Sequence, residues 1–429
     1  VEARAQFDGQ RFSDVQLEGD VRNFQPKAVG WTEYFGNAGL SAHVRMEAAS
    51  VDPLNPEGTL SVRDFRMSGE QPYQLQQLSL VALPSSRGTS LKLRSDFGRI
   101  DWEGSLRFQE LQQALTGWVG QCLPHTFSPA TADTTGRQWK LNVQLLNSDF
   151  FTEVLHLPLA FEAPVRLEGH FAPAAQGLFV SCVAPDLKFN ATELSDVRLL
   201  LRNNGPELFS RMQFNKRLRN TDLRVEMDVN TQEGKLQTEL LWGGQHLYAG
   251  TLRAETAFLP DSCVSTRMYP SQVTIKDTVW QVLPGQVDWK GNAMEIRDFG
   301  IHRADQSLRL NGCLSKSSAD SLSIALQKID VQYILDLFSI DPVAFSGWAT
   351  GKVNVSNTLD SLRLHADLDI PDFYFNGGLM GHANIRGAWS KADPRIYLWG
   401  DMEEENWGFT RVRGYVCLLY TSPSPRDCS

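Results

Sequence analysis

The sequence contains few of the residues on which enzyme chemistry depends. Its 429 residues include only six cysteines, none in a CxxC pair, and eight histidines that are scattered without metal-ligand spacing. It contains no GxSxG, P-loop or GxGxxG motif. These absences predict a protein that is not an enzyme and that uses no cofactor and no metal.

Long apolar runs and basic clusters are also missing. No uninterrupted apolar stretch approaches the roughly 20 residues that a membrane-spanning helix needs. The formal net charge is −9, and Lys and Arg are spread among Asp and Glu along the chain. Binding to a phosphate backbone requires a basic patch. We therefore expect no nucleic-acid partner.

What the sequence has in abundance is alternation with a period of two. Leu223, Val225 and Met227, for example, alternate with Arg224 and Glu226. Successive side chains of a strand point to opposite faces, so this pattern predicts an all-β protein whose sheet has one apolar face and one charged face. The residues that we expect on the apolar face are Leu141, Val143, Leu145, Leu223, Val225, Met227, Leu362, Leu364 and Leu368.

A sheet with one apolar face must cover that face. Amphipathic helical sequence is too scarce to do so, and no second sheet with matching boundaries is evident. We therefore predict an elongated, curled antiparallel β-sheet, a β-taco-like groove, with a few short amphipathic helices. At about 25 cal/mol per Å² of apolar surface, a wet groove would be very unfavourable, and lipid tails are a natural occupant.

One hairpin can be predicted residue by residue. Gly291 and Asn292 form a two-residue loop between alternating runs, a typical turn signal. This loop places Trp289 opposite Met294 on the neighbouring strand. A face shared by these two apolar residues is what a one-sided sheet requires.

Three short helices are predicted near residues 108–120, 149–156 and 330–339. Their apolar residues recur at helical spacing, and Asp330 is a suitable N-cap for the third. Helices this short are stabilised mainly by packing, and we expect them to lie on the apolar face of the sheet. Contact with a membrane surface is the alternative.

The end of the chain departs from the strand pattern. The last 13 residues, Cys417–Ser429, read CLLYTSPSPRDCS and resemble a translated sequencing adapter. We expect residues 417–429 to be unstructured and residues 1–416 to be one continuous repeat region, a central fragment of a longer protein. The four remaining cysteines fit small buried hydrophobic residues, and disulfides between them stay open: Cys122, Cys182, Cys263 and Cys313.

The repeat region resembles the TamB family, within the wider AsmA-like group, in its Bacteroidetes form. The resemblance is strongest between Ser271 and Trp399. It rests on three phrases: VTIKDTVWQVLPGQVDWKGNAMEIRDFGIHRADQSLRLNG, DSLSIALQKIDVQYILDLF and FSGWATGKVNV.

The resemblance implies an envelope protein in the periplasm, anchored in the inner membrane by an N-terminal segment that this chain lacks. It implies a U-folded sheet whose apolar concave side carries phospholipid acyl chains between the inner and outer membranes. It also implies an outer-membrane barrel partner, similar to TamA, that binds through a C-terminal part missing here.

Two functions follow as hypotheses. The first is a lipid-binding bridge that carries phospholipid between the membranes. The second is a scaffold or chaperone for outer-membrane protein assembly, which would offer strand edges to a client polypeptide. A surface adhesin or a carbohydrate-active β-helix enzyme would instead show a regular repeat or clustered acids, and neither is visible.

Overall fold

The structure of the chain is a computed structural model. It describes residues 2–8, 11–69, 72–105, 108–126, 138–172, 177–190, 192–204, 207–217, 222–244, 248–275, 278–315, 317, 319–332, 345–356, 363–390, 393–404 and 408–417. The predicted tail therefore lies outside the described residues, except for Cys417, which is the last residue of its strand.

Antiparallel strands contain 76% of the described residues, which confirms the predicted all-β fold. The strands are β1 Glu2–Asp8, β2 Arg11–Phe24, β3 Gly39–Ser50, β4 Glu57–Ser68, β5 Tyr73–Ser85, β6 Gly88–Ser95, β7 Gly98–Gly104, β8 Trp139–Leu145, β9 Leu159–Ala160, β10 Val165–Ala172, β11 Gly177–Phe189, β12 Thr192–Asn204, β13 Glu207–Arg217, β14 Asp222–Gln232, β15 Lys235–Gly243, β16 Tyr248–Leu259, β17 Cys263–Ile275, β18 Thr278–Leu283, β19 Gly285–Lys290, β20 Ala293–Arg303, β21 Gln306–Leu314, β22 Ser321–Asp330, β23 Phe345–Ser346, β24 Trp348–Ser356, β25 Arg363–Phe375, β26 Gly378–Ser390, β27 Asp393–Glu404 and β28 Gly408–Cys417.

The chain divides into two compact units, Val1–Gln245 and His246–Ser429. Unit 1 contains β1 to β15, and unit 2 contains β16 to β28. Within each unit most strands pair with their neighbours in sequence. The exceptions occur at short strands: β8 pairs with β10 and β9 with β11, β17 pairs with β19 and β18 with β20, and β22 pairs with β24 and β23 with β25. That residues 1–416 form a single continuous sheet stays a prediction.

The hairpin of β19 and β20 has the predicted register. Trp289 lies opposite Met294, and Val287 lies opposite Ile296. Gly291, at the turn, has a φ of +58°, a left-handed conformation that glycine adopts without steric cost. The prediction is confirmed, and it fixes the face assignment for this part of unit 2.

Helical segments lie where the sequence places them. A helix, α1, spans Phe108–Cys122, and a single π-helical turn spans Phe150–Val154. In the third predicted helix, the Gln332 backbone N–H donates to Asp330 Oδ1 at 2.9 Å, as expected of an N-cap. Residues 333–339 of that segment lie outside the described residues.

Short apolar clusters cover the sheet near these helical segments. In unit 1 the π-turn contributes Val154 to a buried cluster with Met67, Tyr73 and Phe97. Burial, together with nearby carboxylates, raises the pKa of Tyr73 to about 12, so this phenol is neutral at physiological pH. Protein therefore covers part of the apolar face.

All four cysteines of residues 1–416 are free. Cys122, at the end of α1, is buried, and the other three are half-buried. Burial raises the pKa of the Cys122 and Cys182 thiols. They therefore behave as small apolar residues, which is the interpretation that the sequence favours.

β-Bulges interrupt the simple alternation. Asp64 and Asp298 have left-handed backbone conformations, with φ of +51° and +53°, and each is followed by a phenylalanine. At the second of these positions the pairing of β20 with β21 shifts register between Ile296 and Phe299. The extra residue changes the parity, which brings Phe299 to the same apolar face as Ile296 although the two are an odd number of positions apart.

A polar side chain on the neighbouring strand stabilises each of several bulges. The Asp298 backbone N–H donates to Asn311 Oδ1 at 2.7 Å, and the Lys328 backbone N–H donates to Thr350 Oγ1 at 3.1 Å. A bulge leaves a ladder N–H without its usual carbonyl partner. These side-chain oxygens replace that carbonyl.

Substitution of Asn311 should measure this contribution. We expect Asn311→Ala to lower the free energy of unfolding by about 1–2 kcal/mol, since the bulge N–H loses its acceptor. The control is Asn384→Ala, at an exposed position of β26 in the same unit. Urea unfolding monitored by tryptophan fluorescence measures both, and equal effects of the two substitutions would contradict the role given to Asn311.

Candidate functional site

An unbroken row of apolar side chains crosses unit 1. Cross-strand partners of an antiparallel sheet lie on the same face, so the register defines the row, which we call the inner row. It has one residue on each strand from β2 to β15 except β9: Leu17, Met46, Leu60, Leu80, Leu93, Ile100, Val143, Leu167, Cys182, Leu199, Met212, Met227 and Leu240.

The inner row is only partly covered by protein. Every one of its residues is half-buried, whereas the cluster around Tyr73 and Phe97 contains fully buried side chains. Neighbouring side chains of the same sheet account for part of the burial. The row is therefore a long apolar surface that its own protein does not close over.

The predicted residues on β8 and β14 lie on this face. Val143 and Met227 belong to the inner row. Leu141 lies two residues before Val143 on β8 and pairs with Trp102 of β7. Val225 lies opposite Phe214 on one side and Trp242 on the other. All the predicted residues of these two strands are half-buried: Leu141, Val143, Leu145, Leu223, Val225 and Met227.

In unit 2 the predicted residues lie on β25. Leu364 has Val355 and Trp389 as cross-strand neighbours, and Leu368 has Ile385 on β26. Both leucines are half-buried. Leu362 lies outside the described residues. Apolar side chains thus meet across neighbouring strands in this unit as well.

The opposite face of the same strands carries paired charges. On β14, Arg224 Nε donates to Glu226 Oε1 at 2.7 Å, and Asp228 accepts two hydrogen bonds from Arg211 of β13 at 2.7 and 2.6 Å. The Arg211 guanidinium holds the pKa of the Asp228 carboxyl below its usual range. Along β14, the charged side chains of this face can stay hydrated, whereas Met227 of the inner row lies on the opposite, apolar face.

Tryptophans mark one end of the apolar face in unit 1. Trp102 and Trp139 stack with their ring centroids 5.8 Å apart, and Trp118 of α1 packs edge-on against Phe171. The indole N–H groups of Trp102 and Trp139 are buried and have no acceptor among the described residues.

A cavity of about 640 Å³ lies where β12, β13 and β14 end. Its lining was not predicted from the sequence, because it combines the turn between β12 and β13 with the end of β14. Its walls are formed by Arg202, Asn203, Glu207, Leu208, Phe209, Asn230, Thr231 and Gln232. Most of them are polar, which distinguishes the cavity from the apolar face beside it.

A second cavity, of about 500 Å³, lies in unit 2 and is mainly apolar. Its walls include Leu364, which the sequence predicts on the apolar face, together with Trp389 and Tyr397. The cavity is at the strand ends near Ser356 and Arg363. An apolar group can therefore approach Leu364 from solvent.

Two other features, a metal site and a membrane-spanning helix, are absent from the described part of the chain. There, no three His, Cys, Asp or Glu side chains come close enough to hold a metal ion together. No helix among the described residues has the length and apolar character needed to cross a membrane.

Comparison with protein-family models, curated proteins and solved structures gives no match for this chain.

Proposed function

We propose that the apolar faces of the two units bind lipid acyl chains and that the protein is a lipid-binding bridge carrying phospholipid between two membranes. The observation that carries the proposal is the inner row, which has an apolar residue on each strand from β2 to β15 except β9 and remains partly exposed. No catalytic step is part of this proposal.

The hydrophobic effect supplies the driving force. Each methylene group that moves from water onto an apolar surface contributes about 0.8 kcal/mol. An acyl chain lying across several strands would contact a leucine, methionine, isoleucine, valine or cysteine side chain at each one. Because every position of the row is apolar, no step along it would require the chain to desolvate a polar group, and movement along the row would meet no large barrier.

The charged face supports the same arrangement. Ion pairs such as Arg211 with Asp228 keep that face hydrated. A lipid tail is therefore directed to one side of each strand only. A protein with a closed core has no such reason to leave one face apolar and half-exposed.

The cellular setting of the proposal rests on the resemblance to the TamB family. On that basis we propose a periplasmic location, an inner-membrane anchor and an outer-membrane barrel partner for the longer protein. Binding of lipid by the chain itself can be tested without them.

Site-specific photocrosslinking tests the proposal. A photoreactive amino acid at Val225 or Leu364 should capture radiolabelled phosphatidylethanolamine from vesicles, because both side chains lie on the apolar faces. The same amino acid at Glu226 or Asp367 should capture little, because these side chains point to the other face. Glu226 and Asp367 are thus matched controls within the same strands.

Two results would contradict the proposal. Equal labelling at all four positions would show that lipid contacts the protein without regard to face. Capture of polypeptide in place of lipid at Val225 and Leu364, in a cell envelope, would favour the scaffold for outer-membrane protein assembly.

A further inference from the structure

We infer that the 640 Å³ cavity at the ends of β12, β13 and β14 binds the phosphodiester group of a phospholipid whose acyl chains lie on the inner row. The inference rests on the proposed lipid binding and adds to it a place for the charged end of the molecule. It assigns a ligand class, glycerophospholipids with a single negative phosphate, to a site built from three strand ends.

The cavity joins the two faces of the sheet. Leu208 and Thr231 lie on the same face as the inner row, whereas Arg202 and Phe209 lie on the charged face. Met212 is the inner-row residue of β13, and Leu208 lies four positions before it on the same strand. At about 3.3 Å per residue this separation is about 13 Å. An amphiphile whose tail lies on the row can therefore place its polar end in the cavity.

Arg202 supplies the charge. Its guanidinium and that of Arg211 both lie over the ring of Phe209, at 5.2 and 5.6 Å from the ring centroid. Arg211 is neutralised by its two hydrogen bonds to Asp228. No carboxylate of the described residues forms an ion pair with Arg202. Its guanidinium can therefore donate two hydrogen bonds to two oxygens of one phosphate group.

The remaining walls refine the choice of ligand. The side-chain amides of Asn230 and Gln232 provide neutral donors for phosphate oxygens. The Glu207 carboxylate at the same cavity opposes a doubly charged group, which favours a phosphodiester over a phosphate monoester. Thr231 Oγ1 accepts from the Leu208 backbone N–H at 2.7 Å and fixes the two strands that form the cavity floor.

The test compares two lipids that differ in the phosphate. The purified chain is titrated in neutral detergent with brominated phosphatidylglycerol or with diacylglycerol carrying the same brominated chains, and quenching of tryptophan fluorescence reports acyl-chain contact. The wild-type chain should bind phosphatidylglycerol about tenfold more tightly than diacylglycerol, as expected for one charge-assisted contact.

Arg202→Gln should abolish this preference by weakening phosphatidylglycerol alone. Arg198→Gln, an exposed arginine on the same strand and face but outside the cavity, should leave the preference intact. If Arg202→Gln keeps the preference, or if Arg198→Gln loses it equally, the inference is wrong while lipid binding stands. If neither lipid quenches the wild-type chain, the proposed function fails with it.

A competition experiment with inorganic phosphate distinguishes a lipid headgroup from free phosphate as the ligand of the cavity. Added to the phosphatidylglycerol titration, it should displace no lipid, because it lacks the tail and carries the second charge that Glu207 opposes. Displacement that depends on Arg202 would assign the cavity to free phosphate and overturn its assignment to a lipid headgroup.

Discussion

Replacement of Leu364 by aspartate should abolish lipid binding in unit 2 and leave the sheet folded. Leu364 is half-buried between Val355 and Trp389 and lines an apolar cavity. A carboxylate at this position can reach water when the face is empty, whereas an acyl chain across it would desolvate the charge. Placing aspartate in contact with lipid hydrocarbon costs about 3 kcal/mol, on the order of a hundredfold in affinity.

The experiment requires a control for charge and a measure of folding. Lys352→Asp introduces the same carboxylate on the charged face of β24, the strand that pairs with β25, and should bind lipid as the wild-type chain does. Lipid retention after gel filtration and circular dichroism in the strand region give the two measurements. Unfolding of Leu364→Asp alone would show that Leu364 belongs to a closed protein core, and the lipid proposal for this face would be wrong.

Truncation of Ile370 should destabilise unit 2 far more than truncation of Leu364 on the same strand. Ile370 is fully buried, 0% exposed, in a cluster with Ala349, Phe373 and Ala383. Ile370→Ala removes packed methyl groups and leaves a cavity, and buried substitutions of this kind cost about 2–5 kcal/mol. Leu364→Ala trims a half-exposed side chain on the same face and should cost less than about 1.5 kcal/mol.

Urea unfolding of the two alanine variants measures the difference directly. The comparison distinguishes the part of the apolar face that the protein covers from the part that it leaves open. A loss for Leu364→Ala as large as that for Ile370→Ala would mean that Leu364 is covered in solution. An equally small loss for both would mean that the cluster around Phe373 is not packed.

The strands and their faces could be predicted because they depend on local chemistry. Alternation along Leu223, Val225 and Met227 fixes which side chains share a face, whatever the neighbouring strand is. The Gly291 turn fixes the register of its own hairpin, so Trp289 and Met294 could be paired before the structure was known. Helix α1 follows from apolar spacing within one segment.

The bulges show where local pattern becomes insufficient. The parity of apolar residues changes between Ile296 and Phe299, which the sequence displays. The acceptor that stabilises the bulge is Asn311, on the next strand, and a strand pattern does not specify which side chain will lie beside the displaced N–H. Register across a bulge is a property of two strands together.

The sequence by itself determined that this protein is built of strands with one apolar and one charged face, because side-chain alternation is local to each strand. Only the tertiary structure decided that the apolar residues join into an inner row, which of them remain half-exposed, and that Arg202 and Gln232 meet at one cavity. These features depend on the register of many successive strands. Each register is set by packing between residues that are distant in the chain.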